Sequence, residues 1–111
     1  MELENIKVAI VDDETIFRVL TRKKLEEVMS KMPFSYELHE YNSGFAFLKE
    51  EMVYDIVFMD IAMPEMSGLE TAEKYREYCP NGILIFLTLV HLLRIFRDHS
   101  CGGDYFIARK K

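Results

Sequence analysis

The sequence predicts an α/β fold, a doubly wound parallel sheet with helices on both faces. Three observations carry that expectation. Strand-like and helix-like segments alternate along the whole chain. The runs at residues 6–11 and 56–59 are continuously apolar, as strands covered on both faces are. A third run, residues 34–41, instead sets Phe34, Tyr36 and Leu38 against polar neighbours. Such alternation means one wet face and therefore an edge strand.

The first strand, residues 6–11, ends in Asp12-Asp13. From Glu14 to Met32, Phe17, Leu20, Leu25, Val28, Met29 and Met32 fall at helical spacing, and Pro33 stops the helix. After the wet strand, Ser43 caps a short helix running to about residue 51. Residues 56–59 form the third strand, which ends in Asp60 and opens into the loop Ile61-Ala62-Met63-Pro64-Glu65-Met66-Ser67. Ser67 and Glu70 have capping-box spacing, so a helix runs from Gly68 to Tyr78. Pro80-Asn81-Gly82 then punctuates before a strand at residues 83–87. A mainly apolar helix at 90–100, Gly102-Gly103 and a last strand at 105–107 complete the chain. These βα units, with a wet second strand, fit a five-stranded sheet in the flavodoxin-like order 2-1-3-4-5, with the fifth helix missing.

At 111 residues the chain is one domain, residues 1–111. It carries 19 acidic and 14 basic residues, a net charge of −5, which argues against direct nucleic-acid binding by this domain. The acidic N-terminus does not read as a secretory signal. The longest apolar stretch, 83–93, is broken by Thr88 and His91 and falls short of the roughly 18 residues of a membrane span. Cys79 and Cys101 sit in no metal or redox spacing and are expected to be reduced thiols of a cytoplasmic protein. His39, His91 and His99 are isolated and are not expected to ligate a metal.

Chemistry concentrates on Asp60. An aspartate closing a buried strand and opening into a Pro/Gly loop is a carboxylate aimed into a crevice. In the order 2-1-3-4-5 the first and third strands are neighbours and straddle the switch point. Asp12, Asp13 and Asp60 then meet on one rim, a cation site with a potential nucleophile in it. Plainer roles exist for each neighbour. Asp13 could cap the first helix, Thr88 could be an ordinary strand residue and Tyr105 core packing, while Pro64 and Gly68 are turn chemistry.

Three motifs resemble the receiver domain of two-component response regulators. They are Val8-Ala9-Ile10-Val11-Asp12-Asp13-Glu14, Phe58-Met59-Asp60-Ile61-Ala62-Met63-Pro64-Glu65-Met66-Ser67-Gly68 and Ile85-Phe86-Leu87-Thr88. With Tyr41-Asn42-Ser43-Gly44 they look most like regulators carrying a LytTR-type output domain. The resemblance implies that Asp60 accepts a phosphoryl group from the phosphohistidine of a sensor histidine kinase. It implies that Asp12, Asp13, Asp60 and the Ala62 carbonyl hold Mg²⁺. By the same resemblance Thr88 bonds a phosphoryl oxygen and Tyr105 is the switch aromatic. Such a domain switches an output, here transcription regulation, and is not a turnover enzyme beyond its own phosphorylation and dephosphorylation.

Four departures stand beside the match. Ala108 falls where receivers carry a lysine, and Arg109 where proline follows it. Bulky Leu89 follows Thr88, and the segment from Thr88 to Tyr105 is shorter than usual. The chain stops after the fifth strand, as a truncated receiver, or one whose C-terminal third has degenerated, would. Without the fifth helix an apolar C-terminal face is expected to stay exposed and to favour a homodimer or other self-association.

Other readings compete. A pseudo-receiver would bind partners without phosphorylation, as the missing lysine and Leu89 allow. A phosphohydrolase with an aspartate nucleophile usually has Asp-x-Asp after the first strand, which Asp12-Asp13-Glu14 does not provide. A flavin carrier is disfavoured because no phosphate loop follows Val11.

Overall fold

The computed structural model describes residues 5–89 and the strand Tyr105–Arg109. In chain order the elements are β1 (Asn5–Val11), α1 (Thr15–Met29), β2 (Ser35–Tyr41), α2 (Gly44–Lys49), β3 (Ile56–Asp60), α3 (Gly68–Tyr78), β4 (Ile83–Leu89) and β5 (Tyr105–Arg109). The strands form one parallel sheet in the order β2-β1-β3-β4-β5. That is the expected order, with the alternating strand β2 at one edge. The expected helix at 90–100, and with it His91, His99 and Cys101, lies outside the described residues.

Register decides which residues share a face. Val8 pairs with Ile56, Ile10 with Phe58 and Phe58 with Ile85, so these stand on one side of the sheet. Ala9, Val11, Val57, Met59, Leu84 and Phe86 stand on the other, where they join Phe47 of α2 and Ala72 and Tyr75 of α3 in one buried cluster. Leu25, the buried residue of α1, lies outside that cluster, as a helix on the opposite face should. Residues 8–11 of β1 are wholly buried, which is why that run reads apolar without alternation. Burying a side chain of the size of Phe47 contributes about 1.5–3 kcal/mol.

Tyrosines knit the α2/α3 side to the start of β3. The Tyr75 hydroxyl accepts from the Tyr54 backbone N–H at 3.0 Å and donates to the Tyr54 carbonyl at 3.2 Å. Tyr54 itself hydrogen-bonds the Tyr41 hydroxyl and stacks on Phe47 with ring centroids 5.8 Å apart. The buried phenols of Tyr54 and Tyr75 thus each have a polar partner, whereas the Tyr78 hydroxyl is buried with none among the described residues.

Several boundaries differ from the sequence expectation. Helix α1 ends at Met29 rather than Met32, because the Ser30 hydroxyl donates to the Glu27 carbonyl and the next residues form turns ahead of Pro33. Helix α2 ends at Lys49, and Glu51 turns the chain with a positive φ of 51°. Strand β4 continues through Thr88 to Leu89 because β5 runs beside it, pairing Thr88 with Ala108 and Leu89 with Arg109. For the same reason β5 extends past 107 to Arg109. Helix α3 matches its expected bounds, with the Ser67 hydroxyl accepting from the Glu70 N–H. The reciprocal half of the capping box differs, since the Glu70 carboxylate meets the Ser67 hydroxyl at 3.4 Å.

Candidate metal centre

Val11 of β1 pairs with Met59 of β3, so one further step in register sets Asp12 beside Asp60. The convergence is a direct outcome of parallel pairing: both strands run toward the same rim and both end in acid. Each of Asp12, Asp13 and Asp60 offers a carboxylate oxygen lying within 4.8 Å of the other two. Asp12 is wholly buried and Asp60 is 5% exposed.

Local bonds fix the surroundings. The Asp12 N–H continues the β1–β2 ladder to the Tyr41 carbonyl at 3.0 Å, and its Oδ1 accepts from the Glu14 N–H at 3.0 Å. Asp60 Oδ1 accepts from the Ala62 N–H at 3.2 Å. The Ile61 N–H bonds the Leu87 carbonyl at 3.1 Å, which holds the exit from β3 against β4. The loop then doubles back: the Gly68 N–H reaches the Ile61 carbonyl at 2.8 Å, and Glu65 turns it with a φ of 66°. A Cβ at Gly68 would stand 2.1 Å from the Asp60 carbonyl oxygen, so only glycine lets α3 begin this close.

Asp13 is the telling member. Helix α1 takes Glu14 as its N-cap, with no side-chain cap bond, so Asp13 does not serve the capping role open to it in the sequence. Its Oδ1 is buried with no hydrogen-bond partner among the described residues. A buried carboxylate oxygen left unsatisfied costs roughly 1–3 kcal/mol or more. Three hard oxygen donors, one of them orphaned, fit a divalent cation such as Mg²⁺, which takes oxygen ligands and needs few from protein.

The remaining expected site residues are positioned by backbone. Leu87 pairs with Asp60, so Thr88 follows one residue further along β4, inside the strand rather than in a loop. Tyr105 opens β5 opposite Ile85, three residues before Thr88 in register. Ala108 stands opposite Thr88, so the lysine position of the resemblance adjoins the rim but carries a methyl group. His39 lies on β2 against Tyr54 and Glu37, away from the acidic cluster. Cys79 is a buried free thiol packed at the Tyr54 carbonyl.

One residue at the rim escaped the sequence reading. Arg18 donates from Nη1 to the Asp12 carbonyl at 2.7 Å and from Nη2 to the Thr15 hydroxyl at 3.2 Å. Its Nε lies 3.8 Å from Glu40 of β2. A signal existed: Arg18 closes the first turn of α1, where the helix dipole disfavours a cation unless acids are near.

Three carboxylates lining a switch-point crevice could hold a cation at the ends of the strands. The family follows from comparison. Residues 8–107 match the response regulator receiver domain, and the chain belongs to that family. The transcriptional regulatory protein SrrA of Staphylococcus aureus is 29% identical over 105 residues, covering 93% of this chain and 41% of SrrA. This chain therefore spans about two fifths of the length of the curated relatives it matches. Among solved structures, the response regulator TrrA of Thermotoga maritima, crystallised with Mg²⁺ and BeF, is 30% identical with a TM-score of 0.75, over 95% of this chain and 87% of TrrA. A complex of the histidine kinase ThkA with TrrA is also similar, at 26% identity and a TM-score of 0.65, over 95% and 86% of the chains.

Proposed function

We propose that residues 1–111 act as the phospho-accepting receiver of a cytoplasmic two-component system, taking a phosphoryl group onto Asp60 from a sensor histidine kinase. The observation that carries this reading is the meeting of Asp12, Asp13 and Asp60 within 4.8 Å, with an unsatisfied Asp13 oxygen buried among them. Asp12, Asp13, Asp60 and the Ala62 carbonyl would hold Mg²⁺. Bound there, Mg²⁺ offsets the crowded negative charge and stabilises charge on the transferring group.

In the transfer, an Asp60 carboxylate oxygen forms a bond to phosphorus as the phosphorus–nitrogen bond to the kinase imidazole breaks. The imidazole leaves with the electron pair and takes up a proton. The Ala62 N–H, which already binds Asp60 Oδ1, helps hold the carboxylate in place. The product carries roughly −1.5 to −2 charge in place of the carboxylate's single charge, and the Thr88 hydroxyl donates a hydrogen bond to it, with Tyr105 responding as the switch aromatic. TrrA, similar in fold and sequence, was solved with Mg²⁺ and BeF and in complex with a histidine kinase, which supports the same chemistry here. The output is proposed to be transcriptional, in keeping with the description of SrrA. A LytTR-type partner domain rests on the motif resemblance alone.

A second reading, a pseudo-receiver that binds partners without phosphorylation, is favoured by Ala108 opposite Thr88, at the position where the resemblance expects a lysine. Intact-mass spectrometry after incubation with acetyl phosphate and Mg²⁺, with an EDTA control, separates the two. A single phosphate-sized gain is expected in the parent, absent in EDTA and absent in Asp60→Asn. Folded parent protein that gains nothing would leave the pseudo-receiver standing, and equal labelling of Asp60→Asn would remove Asp60 as acceptor.

A further inference from the structure

Asp13 Oδ1 stays buried although it has no hydrogen-bond partner among the described residues, so the fold must hold it there against hydration. The Asp12 main chain is gripped at both ends, its N–H by the Tyr41 carbonyl at 3.0 Å and its carbonyl by Arg18 Nη1 at 2.7 Å. The Asp12 carbonyl and the Asp13 N–H belong to one rigid peptide plane. Whatever fixes that carbonyl therefore fixes the direction in which Asp13 leaves the strand.

Arg18 is well placed to do this. Its planar fork presents several donors in fixed geometry, and it spends them on the Asp12 carbonyl and the Thr15 hydroxyl. Glu40 braces it from β2, at 3.8 Å from Nε, and Arg22 braces Glu40 in turn at 2.9 Å. The side chain of Arg18 is only 18% exposed. The brace thus ties the ends of β1, β2 and α1 together at the turn that carries Asp12 and Asp13.

We propose that Arg18 is a positioning residue of the cation site, holding the Asp12–Asp13 peptide so that the Asp13 carboxylate stays turned into the acidic cluster. The inference rests on the cation reading above and adds a residue that none of the site motifs includes. It also makes an unusual prediction of sign. A bare positive charge near a cation site opposes cation binding, so removing one should tighten binding if charge alone mattered. If Arg18 positions Asp13, removing it loosens binding instead.

The test compares the parent with Arg18→Met and Arg18→Lys, measuring Mg²⁺ affinity by calorimetry and thermal unfolding with and without Mg²⁺. Arg18→Met is expected to lose about tenfold or more in Mg²⁺ affinity, the scale seen when partners that orient metal ligands are removed. Arg18→Lys keeps the charge but not the fork, and it is expected to recover part of that loss. Should Arg18→Met bind Mg²⁺ as well as the parent or better while folded, Arg18 does not position the site. If Arg18→Met does not fold, the Arg18→Lys comparison decides on the same criterion. A folded parent that binds no Mg²⁺ would overturn the cation reading itself and this inference with it.

Discussion

At the residue scale, the acidic cluster holds two opposing demands in one small volume. Asp12, Asp13 and Asp60 repel one another across less than 5 Å, and Asp13 Oδ1 has no hydrogen-bond partner among the described residues. Fold stability favours relieving that arrangement, while cation binding requires it. Asp13→Asn should therefore stabilise the protein in the absence of cation, by on the order of 1 kcal/mol, the interaction of two unit charges about 4 Å apart in water. The same change should abolish the rise in melting temperature on adding Mg²⁺, since a ligand stabilises only the state that binds it. Thermal unfolding with and without Mg²⁺ checks both effects. A variant less stable than the parent without Mg²⁺ would mean that Asp13 has a structural partner.

At the element scale, the site depends on how α3 is hung. Its start is pressed against Asp60 through Gly68, and its end is fastened to the segment before β3 by the Tyr75 hydroxyl. That hydroxyl serves both the N–H and the carbonyl of Tyr54, a backbone unit buried beneath the helix. Tyr75→Phe would leave the Tyr54 N–H unsatisfied and its carbonyl with only the weak Cys79 thiol at 3.9 Å, and should cost about 1–3 kcal/mol of stability. Chemical denaturation should report a lowered midpoint with an unchanged slope. A loss below about 0.5 kcal/mol would mean that water replaces the hydroxyl. The same element shows how pattern and packing share control. Ser67 caps α3 as its spacing predicts, yet Glu70 binds the Ser67 hydroxyl instead of its backbone N–H.

At the scale of the whole molecule, the aromatic packing sets an alkaline limit. Burial pushes the Tyr54, Tyr75 and Tyr78 hydroxyls above the ordinary tyrosine range, with the Tyr41 hydroxyl adding to the effect at Tyr54 and Cys79 at Tyr75. The folded chain thus holds these protons more tightly than the unfolded chain. Their contribution is fully present below the unfolded tyrosine pKa of 10.0 and is lost as pH climbs above it. Denaturation midpoints should fall steeply above about pH 10, with the tyrosinate absorbance of these three side chains appearing together with loss of structure. More than three of the six tyrosines ionising well before unfolding would show that these hydroxyls are reachable by water in the native state. Among the described residues, no helix is long and apolar enough to cross a membrane.

Local pattern and register made much of this protein legible in its sequence. Continuous apolar runs marked β1 and β3, alternation marked β2 as an edge, and the spacing of Ser67 and Glu70 marked the start of α3. Parallel neighbours that both end in acid made the meeting of Asp12, Asp13 and Asp60 a matter of register. Tertiary structure decided what depends on contacts between distant segments. The length of β4 followed from its pairing with β5, because unpaired backbone groups seek a partner strand. The close seat of Gly68 on Asp60, the Tyr75 clasp on Tyr54 and the Arg18 grip on Asp12 each join residues whose pairing no spacing rule specifies. Periodicity records which face a residue turns to the core, but the partner it meets there is chosen by the packing of the whole chain.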